Sequence, residues 1–251
     1  PRLVVTTQAD ETLADGWTAA EVGIGVKPSF DFDASGRVHV MVMTEASAGF
    51  VWHAVADGPT GPWTSQTLDT GYFYGPGDLR VDSTGTAHLA WHDHDEQNPS
   101  HATVSPAGSI SLFPIDTPDS HDGWDNALAI GPDGRLHQSS VFPNSFGASD
   151  CLQYGTFDGT TWTYERNVAG SGSFMYGLNT SIAIDRQGNP HIAYCQASDW
   201  TDPGDLLYAT MDQGAWNVSA VTTGGIRGRF PSLALDHWDR PHVAWLDIDM
   251  A

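Results

Sequence analysis

The chain has 251 residues, and 31 acidic side chains against 10 basic ones give it a formal net charge of -21. A surface with so much negative charge repels phosphate backbones and anionic lipid headgroups, which excludes nucleic acid and membranes as partners. The chain also has 27 Gly and 15 Pro with only 16% charged residues, a composition that favours short strands joined by turns over a helical bundle.

The first 25 residues predict two strands, one over the apolar run at 3–5 and one that starts at Trp17. Five copies of one segment follow along the chain. They are FDFDASGRVH at 30–39, LRVDSTGTAH at 79–88, LAIGPDGRLH at 128–137, IAIDRQGNPH at 182–191 and LALDHWDRPH at 233–242. Their final histidines are 49, 49, 54 and 51 residues apart. Periods of about 40 to 50 residues are typical of propeller blades.

Each copy predicts a hairpin. Apolar side chains alternate along its first strand, as at Phe30 and Phe32, and three copies continue with an Asp-x-x-Gly turn. The third copy has Gly131 in place of the Asp, and the fifth has Asp239 in place of the Gly. A second strand starts at the repeated His, a third follows the next loop, and a fourth starts at a Trp or, in one copy, at Ile110. Four strands per copy predict one propeller blade per copy.

The ends of the chain complete this count. The fifth copy has two strands, and the two amino-terminal strands supply its third and fourth. We therefore predict an all-β fold, a five-bladed β-propeller of four-stranded antiparallel blades whose fifth blade is closed by the N-terminal strands. In this prediction, 1–251 is a single domain, with blades at approximately 26–72, 73–120, 121–172, 173–225, and 226–251 together with 1–25.

The Asp-x-x-Gly turn, followed by a second strand such as PHVAW at 241–245, resembles the sialidase-like (BNR) repeats of bacterial propellers. The resemblance covers nearly the whole chain, and it implies the propeller fold. The Ser-x-Asp-x-Gly-x-Thr-Trp box of sialidases is absent, so the resemblance does not extend to sialidase activity.

Strand order assigns the loops of each blade to two ends. The Asp-x-x-Gly turns lie at one end, which we name the turn end. The loops that enter each first strand, and those that join second to third strands, lie at the opposite loop end. Because these loops differ in length and chemistry between blades, we predict the functional site at the loop end.

Histidines outside the repeat point to a metal or to proton transfer. We predict that five of them lie at the loop end of the first three blades: His53, His92, His94, His101 and His121. His92 and His94 are two residues apart and share a face in an extended strand. Together with His121 they are candidate ligands for one divalent transition metal, Zn, Cu or Fe. The alternative is a polar loop that happens to contain His and Asp.

Two carboxylates are candidate catalytic groups. Asp78 and Asp125 start the first strands of neighbouring blades, and paired carboxylates catalyse glycoside hydrolysis. His92 and His121 are candidate proton shuttles if they do not bind a metal. The alternative is chance, because the chain has 31 acidic residues.

Aromatic, amide and cationic side chains near the same loops are candidate substrate contacts. Aromatic rings stack on the apolar faces of sugars, and a cation binds a carboxylate or phosphate of the ligand unless it pairs with one of the abundant Asp side chains. The predicted substrate-binding residues are Lys27, Tyr72, Tyr74, Trp124, Tyr176, Asn179, Arg227 and Arg229.

The repeated histidines occur in every blade beside the turn, so we predict that they are architectural. The residues at the loop end diverge between blades, which favours one asymmetric site over several equivalent ones. We predict an enzyme that acts on a carbohydrate or similar polar small molecule by hydrolysis or elimination. A lectin-like carbohydrate-binding propeller and a protein-interaction scaffold are the alternatives. We also expect secretion, and Cys151 and Cys195 form either a disulfide or two thiols.

Overall fold

The computed structural model describes residues 2–8, 17–44, 49–58, 60–96, 98–115, 123–141, 152–165, 168, 180–196, 204–222 and 229–246. Every regular element in these ranges is a β-strand. Among the described residues, no helix has the length and apolar character needed to span a membrane.

The strands follow the repeat of the sequence. They are β1 (Arg2–Gln8), β2 (Trp17–Ile24), β3 (Val26–Phe32), β4 (Val38–Met43), β5 (Gly49–Ala56), β6 (Thr64–Gly71), β7 (Phe73–Val81), β8 (Ala87–Asp93), β9 (Asn98–Val104), β10 (Ile110–Pro114), β11 (Trp124–Ile130), β12 (Leu136–Val141), β13 (Leu152–Phe157), β14 (Trp162–Glu165), β15 (Thr180–Ile184), β16 (Pro190–Gln196), β17 (Asp205–Asp212), β18 (Ala215–Ala220), β19 (Arg229–Leu235) and β20 (Pro241–Leu246).

Four sheets have four strands each in sequence order: β3 to β6, β7 to β10, β11 to β14, and β15 to β18. This confirms the predicted four-stranded antiparallel blades, which we number one to four. The fifth blade has the two strands β19 and β20, and β1 pairs with β2 in a separate two-stranded sheet. The described strands are therefore not closed into a ring by hydrogen bonds.

The Asp of each turn organises its hairpin. In blade one, Oδ1 of Asp33 accepts hydrogen bonds from the backbone N–H groups of Ser35 and Arg37, each at 2.9 Å. Gly36 has a φ of 85°, in the left-handed region that glycine adopts without strain. In blade five, Asp239 occupies that position with a φ of 62°, which Asp tolerates better than most residues. The predicted turn chemistry is confirmed.

The chain divides into two compact units, residues 1–96 with 100–112, and residues 97–99 with 113–251. Within each unit, the first strands of adjacent blades are tied by the same hydrogen bond. The Leu79 N–H donates to Ser29 Oγ at 3.1 Å in the first unit. The Leu233 N–H donates to Ser181 Oγ at 3.0 Å in the second.

The core lies on the middle strands of the blades. All six residues of β4 are buried, as are six of the seven in β16. These strands have a neighbour on each edge and apolar side chains on both faces, so they read as continuous apolar runs. The first unit has a cluster around Met41, Phe73 and Trp91. The second has one around Ile192 and Tyr194.

Candidate functional site

Three of the five repeated histidines form a hydrogen bond with the Asp of their own turn. Nε2 of His88 lies 3.3 Å from Oδ2 of Asp82, and Nε2 of His191 lies 3.4 Å from Oδ2 of Asp185. His242 repeats this contact with Asp236 at 3.3 Å. In these three blades the histidine makes the contact that an architectural role predicts.

The second ring nitrogen of each repeated histidine reaches the third strand of its blade. In blade one, Nδ1 of His39 lies 3.1 Å from Nε2 of His53, and in blade two the corresponding pair is His88 and His101, at 3.3 Å. In blade three, Nδ1 of His137 lies 2.6 Å from a tyrosine hydroxyl, that of Tyr154. In blade four, His191 likewise contacts the hydroxyl of Tyr208. An Asp–His–His chain in blade two and an Asp–His–Tyr chain in blade four therefore join the turn, the second strand and the third strand.

His53 and His101 were predicted at the loop end, and this prediction is wrong. In the register of β4 and β5, His53 lies opposite Met41, one diagonal step from His39. A diagonal neighbour in an antiparallel pair is within reach of a ring. Both histidines therefore belong to the turn end, where His39 and His53 line a cavity of about 70 Å³.

At the loop end, the first strand of four blades begins with a β-bulge. The register shifts after Val26, Tyr74, Trp124 and Arg229 in β3, β7, β11 and β19. The shift coincides with a positive φ at Lys27 (51°), Gly75 (76°), Asp125 (53°) and Phe230 (54°). Bulges and left-handed residues other than Gly are concentrated at functional sites. Two predicted site residues, Lys27 and Asp125, thus stand at strained positions, and Arg229 precedes a third.

Asp78 is held by several donors. Its Oδ1 accepts hydrogen bonds from the Ser29 hydroxyl at 2.6 Å and from the Leu79 N–H at 2.8 Å. The Arg80 guanidinium donates to the same oxygen at 2.9 Å. These hydrogen bonds join β3 to β7. Asp78, which the sequence predicted to be catalytic, therefore makes a structural contact between the two strands.

Asp125 is buried beside a chain of polar side chains that crosses blade three. The Tyr164 hydroxyl on β14 donates to Oε1 of Gln138 on β12 at 2.5 Å. Gln138 in turn donates to Oδ1 of Asn126, and Nδ2 of Asn126 donates to the Gly123 carbonyl at 2.7 Å. This chain fixes the backbone on both sides of Asp125. Sequence reasoning missed it, although the polar run Gln-Ser-Ser in a middle strand was a readable signal.

Gly155 makes room for this polar chain. It lies between Gln138 and Tyr164 in the sheet, paired to each across one strand boundary. A Cβ at Gly155 would be 2.5 Å from Cε1 of Tyr164. The missing side chain therefore lets the Tyr164 ring pass over β13 and reach Gln138.

A second group of titratable side chains occupies the loop end where β6, β7 and β8 meet. We name it the acid–base cluster, and it consists of Asp69, Tyr72, His92, Asp93, His94, Asp95 and Glu96. All of these residues belong to the first unit. Tyr72, His92 and His94 were predicted site residues, whereas Asp69 was not.

Asp69 is the unusual carboxyl of this cluster. It is half-buried near the end of β6, and burial raises its pKa above the ordinary value of 3.8. The charges of Asp93 and Glu96 raise this pKa further, against a hydrogen bond from the Thr70 N–H that lowers it. A carboxyl with a raised pKa beside other carboxylates is a candidate general acid. No sequence motif marks Asp69, because its pKa depends on neighbours from other strands.

Backbone hydrogen bonds hold the cluster in shape. Oδ1 of the buried Asp93 accepts from the Asp95 N–H at 2.9 Å and from the Glu96 N–H at 3.2 Å. Oδ2 of Asp95 accepts from the Tyr72 N–H at 3.0 Å. A Cβ at Gly71 would be 2.9 Å from that same oxygen, so glycine allows Asp95 to approach.

The structure brings three predicted aromatic side chains together. The His94 ring meets the Tyr72 ring edge-on with centroids 4.4 Å apart, and the His92 and His94 centroids are 6.2 Å apart. Nδ1 of His94 is buried with no hydrogen-bond partner among the described residues. Within those residues, no group of three or more His, Cys, Asp and Glu side chains is placed to hold a metal ion. The predicted metal site therefore depends on His121.

Several predicted residues lie outside the described residues: His121, Tyr176, Asn179, Arg227 and Cys151. The backbones of Tyr74 and Trp124 belong to β7 and β11. Cys195 is buried in β16, and its pairing with Cys151 stays a prediction.

No protein-family model matches the chain, and no curated protein sequence is similar to it. Solved structures show the fold. One is a polysaccharide lyase of family PL25, an ulvan lyase bound to -[GlcA(1-4)Rha3S]-, with a TM-score of 0.62 at 15% identity. The match covers 80% of this chain and 62% of the ulvan lyase chain, so this chain spans less than two thirds of that protein's length.

Two further solved structures share the fold. The Hadza microbial sialidase Hz136 has a TM-score of 0.53 at 14% identity, and the match covers 82% of this chain and 47% of the sialidase. The cobalt-substituted apocarotenoid oxygenase of Synechocystis has a TM-score of 0.51 at 11% identity, covering 90% of this chain and 54% of the oxygenase.

Proposed function

We propose that this chain is a carbohydrate-active enzyme that hydrolyses glycosidic bonds at the acid–base cluster. The observation that carries the proposal is Asp69, a half-buried carboxyl with a raised pKa next to Asp93 and Glu96. Glycoside hydrolysis in general uses a pair of carboxyl groups that have different pKa values because their environments differ. The shared fold of a polysaccharide lyase and a sialidase supports the carbohydrate class.

In this mechanism the protonated Asp69 donates its proton to the glycosidic oxygen as the bond to the anomeric carbon breaks. Glu96 is exposed, and it takes a proton from the water that attacks the anomeric carbon. The buried Asp93 keeps its oxygen on two backbone N–H groups and stabilises the positive charge that develops on the sugar ring. One water is consumed, and each product gains a hydroxyl.

Elimination is the second candidate, and the Tyr72–His94 contact favours it. An imidazole beside a phenol supplies a base and an acid for removing a proton next to a uronate carboxylate. Such a substrate brings a negative charge to a cluster that already contains four carboxyl groups. Elimination therefore needs a cation at the site, from Lys27, Arg227, Arg229 or a bound metal.

The metal proposal has a direct test. His92 and His94 would hold Zn, Cu or Fe together with His121, and the metal would act as a Lewis acid for the substrate oxygen or carboxylate. Elemental analysis of untagged protein should then give about one equivalent of metal. That metal should be lost when His92 and His94 are both changed to Ala. A metal-free wild-type protein would contradict the metal assignment and leave hydrolysis by carboxyl groups unaffected.

The catalytic proposal is tested with Asp69→Asn. Release of reducing ends is assayed on neutral, amino and uronic polysaccharides, and ultraviolet absorbance of an unsaturated uronate identifies elimination. The variant should lose about 10²–10⁴ in kcat, the usual contribution of a general acid. In the wild type, activity should fall as pH rises through the raised pKa of Asp69, and the variant should lack that alkaline limb.

The matched control is Asp57→Asn, which removes an exposed carboxyl that follows β5. It should leave kcat unchanged. Equal activity of Asp69→Asn and wild type would exclude Asp69 as the acid. Binding of a glycan without turnover on any substrate would instead favour the lectin-like alternative.

We further propose that β1 and β2 complete the fifth blade by pairing β1 with the free edge of β20. The support is the strand count, because each of the two hairpins lacks the two strands that the other has. Hydrogen exchange tests it. Backbone amides of β20 on the β1 side should be protected in the full chain, and they should exchange fast after deletion of residues 1–24. Equal exchange in both forms would contradict closure.

A further inference from the structure

A β-bulge in β6 determines the face of the sheet on which Asp69 lies. Val51 of β5 pairs with Asp69, and the next residue, Trp52, pairs with Thr67. Leu68 is therefore an extra residue in β6. In a regular strand Asp69 would share a face with Thr67, because side chains two residues apart point the same way. The bulge instead places Asp69 on the face of Val51, which belongs to the buried core of the first unit.

Trp91 of β8 packs against that same face. Asp69 is opposite Val51 across one strand boundary, and Val51 is opposite Met43 across the next. Directly opposite residues in an antiparallel pair share a face. Val51, Met43 and Leu68 belong to one buried cluster with Trp91, which is fully buried. Asp69 therefore extends the row of side chains on which the Trp91 ring packs.

The indole N–H of Trp91 is a buried donor. Nε1 makes no hydrogen bond of normal geometry to the described residues. A buried donor without an acceptor is costly, so alignment of an acceptor with this N–H is favourable. The Asp69 carboxyl is that acceptor, because burial raises its pKa and the Trp91 indole acts on it in the opposite direction.

Neighbours from β8 and the loop after it therefore act on Asp69 in opposite senses. Trp91 and Asp93 are two residues apart and share a face of the strand. The negative charges of Asp93 and Glu96 disfavour the ionised form of Asp69, whereas the indole N–H favours it. When Asp69 loses its proton, the new charge forms beside a donor that is already in place.

We propose that Trp91 is the positioning residue for Asp69, and that its indole N–H donates a hydrogen bond to the carboxylate left when the proton passes to the glycosidic oxygen. Because Trp91 is fully buried, it acts through Asp69 and not on the substrate. The role in proton transfer rests on the proposed function, whereas the contact between Trp91 and Asp69 does not.

The test is Trp91→Phe, which keeps an aromatic ring in the core and removes the N–H. The pKa of Asp69, followed by the NMR resonance of its carboxyl carbon, should rise because a donor to the ionised form is lost. With substrate, kcat should fall about tenfold. The alkaline limb of the pH profile should move up by about one pH unit. A purely structural role of Trp91 would lower kcat or stability without moving that limb.

The matched control is Trp52→Phe. Trp52 is also buried, and its indole N–H has no partner among the described residues, but it lies opposite Thr67 on the other face of blade one. The same substitution there should leave the pKa of Asp69 and the alkaline limb unchanged. An unchanged pKa of Asp69 in Trp91→Phe would overturn the proposal, and so would an equal rise in both variants.

A measurement on the wild type needs no tryptophan variant. The indole N–H resonance of Trp91 should move downfield as the pH rises, with its midpoint at the pKa of Asp69, because the hydrogen bond strengthens when the carboxylate forms. This step should be absent in Asp69→Asn. A Trp91 resonance that does not respond at that midpoint would contradict the proposal even if Trp91→Phe failed to fold.

The two proposals fail separately. A pKa of Asp69 that rises in Trp91→Phe, in a protein without hydrolytic activity, would refute the catalytic role of Asp69 and leave the contact in place. Hydrolysis that depends on Asp69, with the same pKa of Asp69 in Trp91→Phe and wild type, would refute the positioning role and leave the mechanism in place.

Discussion

Imidazoles in the first two blades are buried as pairs, His39 with His53 and His88 with His101. Burial lowers the pKa of each of these four side chains, and it lowers that of His53 to about 3. The two rings of each pair therefore stay neutral and hydrogen-bonded to each other. Blades three and four place a tyrosine hydroxyl where these blades place the second imidazole.

The lowered pKa of these buried imidazoles predicts that the free energy of unfolding depends on pH. Between the ordinary pKa of 6.5 and about 3, the unfolded chain binds a proton at His53 and the folded chain does not. Stability is therefore complete above pH 6.5 and falls as the pH decreases through this window. The slope is up to about 1.4 kcal/mol per pH unit for each such group.

The measurement is urea unfolding between pH 4 and 6 for the wild type and His53→Gln. The pH slope of the unfolding free energy should be about 1.4 kcal/mol per pH unit smaller in the variant, because its unfolded state has one proton-binding group fewer. His237→Gln removes an exposed imidazole of a turn and should keep the full slope. Identical slopes for wild type and His53→Gln would show that His53 does not control the acid limb.

Residue spacing predicted the turn aspartates and the architectural histidines, because an Asp-x-x-Gly turn and its hairpin partner lie within ten residues of sequence. It misplaced His53 and His101 because the residues that they contact depend on strand register and on how far an imidazole ring reaches. It missed Asp69 for a related reason. The pKa of that carboxyl is raised by its burial and by the charges of Asp93 and Glu96, which come from a different strand and loop.

At the scale of elements, strand β12 differs from the other middle strands. Gln138, Ser139 and Ser140 are fully buried in it, whereas the corresponding positions of β4 are Val and Met. The polar strand is stable because its groups are hydrogen-bonded, as buried polar groups need to be. Blade three therefore keeps a polar interior next to Asp125.

We predict that Gly155→Ala breaks this interior. The new Cβ would push the Tyr164 ring off β13 and leave Gln138 without its donor. The expected loss is about 1–3 kcal/mol in the free energy of unfolding, the cost of a buried polar group without its partner plus steric repacking. Chemical denaturation measures it.

A double-mutant cycle identifies the cause. Tyr164→Leu removes the ring that the new methyl group would strike. Gly155→Ala should then cost less in the Tyr164→Leu background than in the wild type. Additive losses in the double variant would mean that Gly155 acts through its backbone freedom rather than through Tyr164.

The sequence repeat does not predict the β-bulges at the start of β3, β7, β11 and β19. The sequence predicted the strands and placed Lys27 and Asp125 at their entrances. It did not predict the bulges, since one extra residue in a strand is visible only when the register of its partner is known. Proline or glycine beside three of the four positions was the available signal.

At the scale of the whole chain, the net charge of -21 opposes compaction. We predict that salt stabilises the protein. Raising NaCl from about 0.01 M to about 0.1 M shortens the screening length from about 30 Å to about 10 Å. Repulsion among the carboxylates weakens, and Tm should rise by about 2–4 °C for each kcal/mol gained.

Thermal unfolding followed by circular dichroism measures this effect at constant pH. KCl should act like NaCl, because the effect is screening rather than specific binding. A Tm that falls with salt would instead show that ion pairs such as Arg37–Asp33, at 2.6 Å, outweigh the general repulsion.

The position of Lys27 has a practical consequence. The sequence contains one lysine, and the structure places it, exposed, on the bulge at the start of β3. Amine-reactive dyes therefore meet a single ε-amino group in the entire chain. Coupling at that side chain places a fluorophore at the loop end of blade one without any engineered cysteine. Its emission would report whether a glycan reaches that end of the molecule.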